Sequence, residues 1–575
     1  MLTYAVRLLP ARQLLEITVE LESTSPSLRL ATPSWVPGAY AFLKYARDVI
    51  DVRATDLVGG GALSVVRDGW QGFRIDGATK RVSVRYLAHA ADPAWGEVAG
   101  VLTGEAGVLL GTRYLRPHGY DGPCRVTYTL PAGWAMHHPS GARLVSPHVY
   151  EYARYQDLVD TPVVFGAFTR RTRDVLGTPF HFVFLDDALG FVEHGDALID
   201  TFVKTAEGCH AIFGSFPFED YTFVLTHDPR FHWGLEHATS TMIGLGPNVY
   251  LDEDAHLNAV RVAVHELMHA WNVKRLRPKG LMALDLDAGS FVDGLWVAEG
   301  FTRYYEFVLA ARAGALSSAR FFSNVANYYI HLVALPAYAR VAPTDSSYAT
   351  FLDHGRYPGM AVSALDYYDA GMLVAFDLDV AARAKGTSLD LLFREFYDAY
   401  VTRGFDTADV QAFFGARVAE LGVMVEAEAT RAGGLSTLER LKDLGFELRF
   451  EQRKELGLVL KEREITSLVD DGPAALAGLA VGDELVNVQG FPFSRRALSW
   501  ARERGEVSLD VLRGQRTLSF RVASRPRRVL TGLAFQGTPS QEEAIQAWLG
   551  TAAPKLGEAN ALRHYDNFHG TTEIV

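Results

Sequence analysis

Residues 264–276 read VHELMHAWNVKRL, which places two histidines four positions apart with a glutamate directly after the first. Apolar residues recur at three- and four-residue spacing through this stretch, which predicts a helix. Residues four apart share one face of a helix, so His265 and His269 can direct imidazole nitrogens at one ion. Glu266 is rotated by roughly 100 degrees and would reach water at that ion. The pattern therefore predicts a zinc site suited to hydrolysis.

A catalytic zinc site needs a third protein ligand and an open position. The best candidate for this ligand is Glu299, in the helix-like stretch LWVAEGFTRYYE. Glu306 follows two turns later on the same face. It is either an acceptor that orients a ligand histidine or a solvated helix acid, and the residues alone leave both readings open.

The composition excludes several classes of protein. The 575 residues are 48% apolar, enough for about three to four domains. A net charge of -12 without a Lys/Arg-rich block argues against a nucleic-acid partner. No segment reaches the ~18 uninterrupted apolar residues of a membrane span, and no signal-peptide core is visible. We therefore expect a cytoplasmic protein, although a chain trimmed of its leader would look the same.

The order of strand-like and helix-like segments predicts a multidomain α+β protein. Residues 1–170 alternate apolar and polar positions between turn residues, which predicts an all-β, sandwich-like domain. Residues 171–435 begin with strands and continue with helix-period patterns, so we expect a catalytic domain with a mixed lobe and a mainly helical second lobe. Residues 440–528 return to short strands, and residues 529–575 are expected to form a final helix and a polar tail.

Residues 440–528 resemble the core of a PDZ domain. The run DGPAALAGLAVGDELVNVQG predicts a short helix after Gly472, then a turn, a strand and a hairpin. Upstream, Leu456, Gly457 and Leu458 occupy the place of the PDZ carboxylate-binding loop and of the strand beside which a peptide lies. The resemblance implies a peptide ligand there. The stretch TTEIV at the end of the sequence could fit this groove in the same or another molecule.

HELMH together with WVAEGFTRYYE resembles the gluzincin metallopeptidases. Three further stretches narrow the resemblance to the glycyl aminopeptidase family, which are gluzincins with a carboxy-terminal PDZ domain. These stretches are PSWVPGAY at residues 33–40, YQDLVDTP at residues 155–162, and WNVKRLRP directly after the zinc helix. The resemblance implies a thermolysin-like fold for residues 171–435.

The same resemblance implies one Zn²⁺ per chain. His265, His269 and Glu299 would be its ligands and Glu266 the general base. The separation of His269 from Glu299 is similar to the longer spacing of this family, and the role of Glu299 depends on that likeness.

An exopeptidase needs a group that captures the α-ammonium of its substrate. The stretch HWGLEHATSTMIG places Glu236 on a predicted edge strand before the zinc helix. The sequence from Gly234 to His237 resembles the strand by which related aminopeptidases hold the substrate amine. Glu236 is then the expected amine anchor, and the alternative is an edge-strand acid that discourages aggregation. The resemblance also implies a preference for small first residues, glycine or alanine.

Peptide hydrolysis also needs a donor for the oxyanion that forms on the substrate. In SALDYYDAGMLVAF, Tyr368 is similar to the catalytic tyrosine of related enzymes. Ala370 stands where the family has a lysine, so Tyr367 stays an alternative. An aromatic pair on a helix is also compatible with plain packing.

Several other side chains are expected to have structural roles. Three histidines near the predicted edge strand belong here, and for the last of them the alternative is to line the first substrate pocket: His227, His232 and His237. Three basic residues after the zinc helix are expected to pair with acids: Lys274, Arg275 and Arg277. Cys124 and Cys209 are expected to be buried small hydrophobes. Ser540 and Glu543 are expected to cap the final helix as a capping box.

Three functions are compatible with these residues. The first is a zinc aminopeptidase acting on peptides with a free amino terminus. The second is a zinc endopeptidase to which the PDZ-like domain brings protein substrates, and it predicts cleavage of amino-blocked peptides. The third is a non-enzymatic PDZ scaffold, which the four intact residue types of the zinc motif disfavour.

Overall fold

A computed structural model describes residues 1–23, 25–91, 100–185, 194–231, 233–351, 360–562, 566–567, 570–571 and 573–574. The chain divides into two units, residues 1–290 with 401–404 and residues 291–400 with 405–575. The first is rich in strands, and the second begins with helices. This arrangement confirms the predicted multidomain α+β class. The predicted domain boundaries stay a prediction, since the division at residue 290 lies inside the expected catalytic domain.

The first unit opens with strands whose side chains alternate between a buried and a more exposed face, as period-two patterning requires. Its elements up to residue 166 are β1 (Leu2–Leu9), β2 (Leu14–Glu22), β3 (Ser27–Ala31), β4 (Val49–Asp56), β5 (Ala62–Asp68), β6 (Gly72–Asp76), β7 (Arg81–His89), β8 (Gly100–Leu102), β9 (Ala106–Leu109), β10 (Arg116–Pro117), β11 (Cys124–Thr129), β12 (Ala135–His137), β13 (Arg143–Ser146), β14 (Val149–Tyr152), α1 (Tyr155–Val159) and β15 (Val163–Gly166).

These strands form two sheets around one apolar core. The larger sheet has the order β10-β3-β6-β5-β4-β7-β2-β1-β11-β14-β13, and the smaller has the order β12-β15-β9-β8. Tyr4, Ile17 and Tyr86 lie fully buried in the core between them. The strand-rich character predicted for this part of the chain is confirmed.

The rest of the first unit is a mixed sheet with helices. Its elements are β16 (Thr169–Val175), β17 (Thr178–Phe184), α2 (Asp196–Phe213), β18 (Tyr221–Thr226), β19 (Gly234–Glu236), β20 (Ser240–Gly244) and α3 (Glu253–Met268). The sheet order is β16-β17-β18-β20-β19. β17, β18 and β20 run parallel, whereas β19 is antiparallel to β20 and lies at the end of the sheet. The prediction that Glu236 stands on an edge strand is confirmed.

The second unit begins with ten helices among its described residues. They are α4 (Leu295–Ala298), α5 (Gly300–Arg312), α6 (Ser318–Val333), α7 (Pro343–Tyr348), α8 (Met360–Ser363), α9 (Tyr367–Ala384), α10 (Leu389–Tyr400), α11 (Thr407–Arg417), α12 (Ala419–Ala429) and α13 (Thr437–Asp443). α5 is buried from Gly300 to Ala311. A helix that is buried all round belongs to the centre of a domain rather than to its surface.

The remaining elements of the second unit are mostly strands. They are β21 (Phe446–Glu455), β22 (Leu458–Lys461), β23 (Glu464–Leu468), α14 (Pro473–Leu476), β24 (Glu484–Val488), β25 (Phe491–Pro492), α15 (Arg495–Arg504), β26 (Glu506–Arg513), β27 (Arg516–Ala523), β28 (Arg525–Phe535), α16 (Pro539–Leu549), β29 (Ala559–Ala561), β30 (Asp566–Asn567), β31 (Gly570–Thr571) and β32 (Glu573–Ile574).

Three sheets organise these strands. One has the order β21-β28-β29, and β30 pairs only with β31 within the described residues. The largest has the order β27-β26-β24-β23-β22-β32, with β25 beside β24. Its last pair joins the tail to β22 in antiparallel register, Val459 with Ile574 and Leu460 with Glu573. The polar tail therefore contributes backbone to this sheet.

The ends of two helices test the predicted caps. α14 follows Gly472 as predicted. The capping box of α16 was predicted wrongly, because it consists of Thr538 and Gln541 rather than Ser540 and Glu543. Pro539 explains the difference, since proline lacks the N–H that the first helical position leaves unsatisfied and therefore starts the helix there.

Both cysteines, Cys124 and Cys209, are buried as expected, and burial raises the pKa of each thiol. Among the described helices, none is both long and apolar enough to cross a membrane.

Candidate metal centre

The helix that carries the HELMH motif, α3, is fixed at its start by acidic residues. The Asp252 carboxylate accepts a hydrogen bond of 2.8 Å from the Ala255 N–H. Glu253 and Asp254 occupy the first turn, where the helix dipole favours negative charge. The HELMH motif lies in the last turn of this helix.

His265 and His269 lie side by side at the end of α3. Their ring centroids are 4.6 Å apart with perpendicular planes, and one ligand nitrogen of each lies within 4.8 Å of the other. The Nδ1 atom of His269 is 2.8 Å from the Asn272 carbonyl oxygen. A carbonyl oxygen can only accept, so this nitrogen carries the proton and the Nε2 lone pair is left for a cation. His269 is buried and His265 is half-buried.

Glu266 packs directly against the edge strand β19. A side-chain carbon added at Gly234 would lie 2.5 Å from the carboxyl carbon of Glu266, nearer than such atoms come in proteins. Glycine at position 234 is therefore needed for this close approach. Glu266 is itself 6% exposed, so its carboxylate stands in a largely dry environment.

Glu236, two residues after Gly234 on β19, faces the same region. One ligand atom each from Glu236, Glu266 and His269 lies within 4.8 Å of the others. Glu236 is 4% exposed, and its Oε1 atom accepts no hydrogen bond from the described residues. Two buried carboxylates this close attract a positive charge.

The negative charges of these acids affect the nearby Tyr221. Its pKa is raised first by burial and then by the negative charges of Glu266 and Glu236. Its hydroxyl also donates to the main-chain oxygen of Glu266 at 3.4 Å. The charges of Glu266 and Glu236 therefore reach this buried hydroxyl, although Arg275 partly opposes them.

Histidines near β19 have structural partners. His237 is buried, with its Nδ1 atom 3.2 Å from Asp160 Oδ1. His227 stacks on Phe184, and its Nε2 atom lies 3.2 Å from the Tyr250 hydroxyl. The structural role expected for these two is confirmed, and His232 lies outside the described residues.

The basic residues after α3 were expected to pair with acids. This is confirmed for Lys274, whose ammonium lies 2.9 Å from Asp160 Oδ1 and 3.6 Å from Glu236 Oε1. Arg275 donates to the main-chain oxygens of Ala238, Ala270 and Pro217. Arg277 donates to the main-chain oxygens of Lys274 and Leu281.

In the second unit, Glu299 stands at the junction of α4 and α5 and is 2% exposed. Its N–H donates to Leu295 and its carbonyl accepts from Arg303, so the main chain stays helical through the junction. α5 meets α9 at two glycines, because a side-chain carbon on Gly300 would lie 2.5 Å from the carbonyl carbon of Gly371. This contact fixes Glu299 relative to the start of α9.

Glu306 is not the solvated helix acid that one alternative predicted. It is 5% exposed, and its Oε1 atom lies 3.8 Å from the Arg303 guanidinium. Arg303 also reaches Asp369 Oδ1 at 2.9 Å. The alternative of a solvated acid is therefore wrong, and the role of an orienting acceptor stays a prediction.

The two tyrosines at the start of α9 differ in their surroundings. Tyr367 is 3% exposed, and its hydroxyl lies 3.0 Å from the Thr350 hydroxyl. Burial and then the Glu299 charge raise the pKa of Tyr367. Tyr368 is half-buried and stacks on Tyr367 with ring centroids 5.0 Å apart. Tyr368 is thus the more exposed of the two, and the choice between them as the oxyanion donor stays a prediction.

The predicted PDZ carboxylate loop lies between β21 and β22. The main-chain oxygen of Leu456 accepts from the Ala474 N–H, and that of Gly457 accepts from the Val469 N–H, both at 2.8 Å. Leu458 pairs with Leu468 across β22 and β23. Two hydrogen bonds thus tie the loop to the segment that carries α14.

Three residues around Glu236 were given no catalytic role by sequence reasoning: Gly38, Asp160 and Lys274. Each belongs to one of the stretches quoted for the family resemblance, PSWVPGAY, YQDLVDTP and WNVKRLRP. Those stretches were the available signal. Lys274 and Gly38 lie beside the Glu236 carboxylate and Asp160 pairs with Lys274, an arrangement that could not be read from residues so far apart along the chain.

Comparison with known proteins identifies two family domains. Residues 3–167 match the Peptidase M61 N-terminal domain, and residues 258–374 match M61 glycyl aminopeptidase. No curated protein matches the chain.

Among solved structures, the chain is similar to the aminopeptidase N family protein from Idiomarina loihiensis. The two share 20% identity over 96% of this chain and 100% of that chain, with a TM-score of 0.84, which shows a common fold. An M1 zinc metallopeptidase from Deinococcus radiodurans is 16% identical over 75% of this chain and 93% of that chain. Its TM-score is 0.47.

Proposed function

Because the chain carries both domains of the M61 glycyl aminopeptidase family and is a peptidase, we propose that it is a zinc-dependent aminopeptidase. Its substrates are peptides with a free amino terminus and a small first residue, glycine or alanine. One observation carries the proposal: atoms of Glu236, Glu266 and His269 lie within 4.8 Å of one another. An amine anchor, a general base and a metal ligand at this separation are what cleavage after one residue requires.

The proposed metal ligands are His265, His269 and Glu299, with one zinc per chain. Two imidazoles and one carboxylate are a donor set that suits catalytic zinc. The proton on His269 Nδ1 supports this role, because it leaves Nε2 as the ligand atom. Glu306 is proposed to orient a ligand histidine. When bound, zinc supplies a Lewis acid that polarises the scissile carbonyl and makes water more acidic.

The chain's own groups perform the remaining steps. The Glu266 carboxylate takes a proton from the attacking water and later passes it to the leaving amine. Glu236 holds the substrate ammonium, which sets the distance from the first residue to the cleaved bond. The Tyr368 hydroxyl donates to the developing oxyanion, a contact worth more in the transition state than in the substrate.

The endopeptidase alternative needs room for substrate residues beyond Glu236. A side-chain carbon on Gly38 would lie 2.5 Å from Glu236 Oε2, so the space between residue 38 and this carboxylate is too small for a side chain. That contact supports a closed end at the anchor and therefore the exopeptidase. The scaffold alternative is set aside, since the chain is a peptidase.

The decisive experiment compares alanine p-nitroanilide with its acetylated twin, using protein of measured zinc content. We expect cleavage of the free amine only, abolished by chelation and restored by zinc. Glu236→Gln should cut the rate on the free amine far more than any rate on the acetylated compound. Cleavage of the acetylated twin by the unmodified chain would instead establish the endopeptidase.

Residues 440–528 are proposed to be a PDZ-like domain that binds an extended peptide along β22. The short helix α14, the loop of Leu456, Gly457 and Leu458, and the pairing of β32 with β22 support this role. A cytoplasmic location is also kept as a proposal, and cell fractionation tests it.

A further inference from the structure

The carboxylate of Glu236 lies among residues that have no role in the proposed mechanism. Lys274 lies 3.6 Å from Glu236 Oε1, and its side chain is 3% exposed. The same ammonium lies 2.9 Å from Asp160 Oδ1 and 3.5 Å from the Pro37 carbonyl oxygen. Gly38 lies beside the carboxylate of Glu236, because a side-chain carbon on Gly38 would lie 2.5 Å from Oε2 and 2.6 Å from Oε1.

The distances show that Lys274 is closer to Asp160 than to Glu236. Its ammonium hydrogen-bonds Asp160, whereas its separation from Glu236 exceeds a hydrogen bond. Burial alone would raise the pKa of Asp160, but Lys274 and His237 outweigh burial and hold this pKa below its usual range. Asp160 therefore stays ionised and neutralises Lys274.

The three side chains together carry a net negative charge. Asp160, Lys274 and Glu236 carry charges of minus one, plus one and minus one, a sum of minus one. One substrate ammonium would bring the sum for the three side chains and the substrate to zero, and charges shielded from water cost least when they cancel. Without the Asp160 charge, Lys274 would neutralise Glu236 and leave nothing for the substrate.

Asp160 also fixes the strand that carries Glu236. Its Oδ2 atom accepts a hydrogen bond of 2.8 Å from the Ala238 N–H, two residues after Glu236. On the other side, Gly38 has a φ of +102° and belongs to a loop held by Trp35, whose indole donates to the Asp285 carbonyl oxygen at 2.6 Å. Glycine suits that φ and the lack of space above the carboxylate.

We infer that Asp160 and Lys274 are positioning residues that keep Glu236 open to a single substrate ammonium, and that Gly38 closes the far side of this anchor. The inference rests on the proposed function, because it deepens the role given to Glu236. It predicts that amine recognition depends on the charge balance of the pair rather than on either side chain alone.

The test measures amine recognition without turnover. Alanine hydroxamic acid and propionohydroxamic acid share a metal-binding group and differ in the α-amine. Calorimetry on zinc-loaded protein gives the ratio of their affinities. We expect Asp160→Asn to reduce this ratio by about 30-fold or more, as loss of one partner of a buried charge pair does. Propionohydroxamic acid should bind as before.

The double variant Asp160→Asn with Lys274→Met separates charge balance from simple structural damage. Removal of both charges returns the sum of charges to minus one. The affinity ratio of the double variant should therefore be at least about tenfold higher than that of Asp160→Asn alone. Zinc content should stay constant throughout. Lys204→Met removes an exposed lysine on α2 and serves as the matched control, with an unchanged ratio expected.

Two results would overturn the inference. One is that Asp160→Asn has the same ratio of hydroxamate affinities as the unmodified chain. The other is that the double variant has a ratio no higher than that of Asp160→Asn. Failure of the proposed function looks different, because the unmodified chain would then neither prefer the amine-bearing hydroxamate nor cleave alanine p-nitroanilide.

Discussion

A side-chain carbon added at Gly234 would lie 2.5 Å from the carboxyl carbon of Glu266. The edge strand β19 and the helix α3 therefore touch at the proposed general base. We expect Gly234→Ala to push the Glu266 carboxylate out of place and to lower kcat by about 100-fold, the usual cost of a displacement near 1 Å. Steady-state kinetics on alanine p-nitroanilide measures this effect.

The matched control is Gly61→Ala, since a side chain at Gly61 meets nothing within 4 Å. Its kcat should equal that of the unmodified chain. Zinc content should be unchanged in both variants, because neither position carries a proposed ligand. A normal kcat for Gly234→Ala would mean that Glu266 is not held by this contact.

The two adjacent tyrosines of α9 should separate in function. Tyr368→Phe is expected to lower kcat by about 100- to 1,000-fold, because it removes the proposed oxyanion donor. Tyr367→Phe should leave kcat nearly unchanged and cost about 1 kcal/mol in the free energy of unfolding, because Thr350 loses its hydrogen-bond partner. Kinetics with denaturant unfolding tests both, and a reversed pattern would move the donor to Tyr367.

Local patterns predicted the elements that carry the candidate site. The apolar spacing in and around HELMH sufficed to predict a helix there, since this pattern acts within one helix. The edge strand of Glu236 was predicted from the likeness of residues 234–237 to a strand of related aminopeptidases, and the sheet order confirms it. Such features depend on neighbours along the chain, which the sequence displays directly.

Contacts between distant segments were not predictable in the same way. The seven-residue spacing placed Glu306 on the face of Glu299 but could not show that both are buried. Lys274 was expected to pair with an acid, but the sequence could not show which one. The pairing with Asp160 and the nearness of Glu236 depend on how the end of α1 and β19 pack beside Lys274. The capping box at Thr538 was missed for a local reason, because proline at position 539 outweighed the Ser540 pattern.

The tail should compete with other peptides for β22. β32 already pairs with that strand, and an attached segment has a high effective concentration. A variant that ends at Leu562 should therefore bind a labelled TTEIV peptide at least about tenfold more tightly than the full chain. Ile574→Pro should have a similar effect, since proline disrupts strand pairing. Equal affinities in fluorescence polarisation would show that the tail does not occupy β22.

Two buried acids should make stability depend on pH. Asp377 Oδ2 accepts from the Thr437 hydroxyl at 2.9 Å, and Glu428 Oε1 accepts from the Ser436 hydroxyl at 2.6 Å. Burial raises the pKa of Glu428 from 4.5 to about 7, and burial together with the Glu428 charge raises that of Asp377. Between pH 4.5 and pH 7 the folded state therefore binds more protons than the unfolded state.

Since the folded pKa lies above the unfolded one, this contribution to stability is fully present below pH 4.5 and is lost as the pH rises toward 7. The loss should be on the order of 1–3 kcal/mol in the free energy of unfolding. Glu428→Gln cannot ionise, so the fall in its stability between pH 5 and pH 7.5 should be smaller by this amount. Urea unfolding at both pH values measures the difference. Parallel pH dependence in the variant and the unmodified chain would mean that Glu428 is already ionised in the folded protein at pH 5.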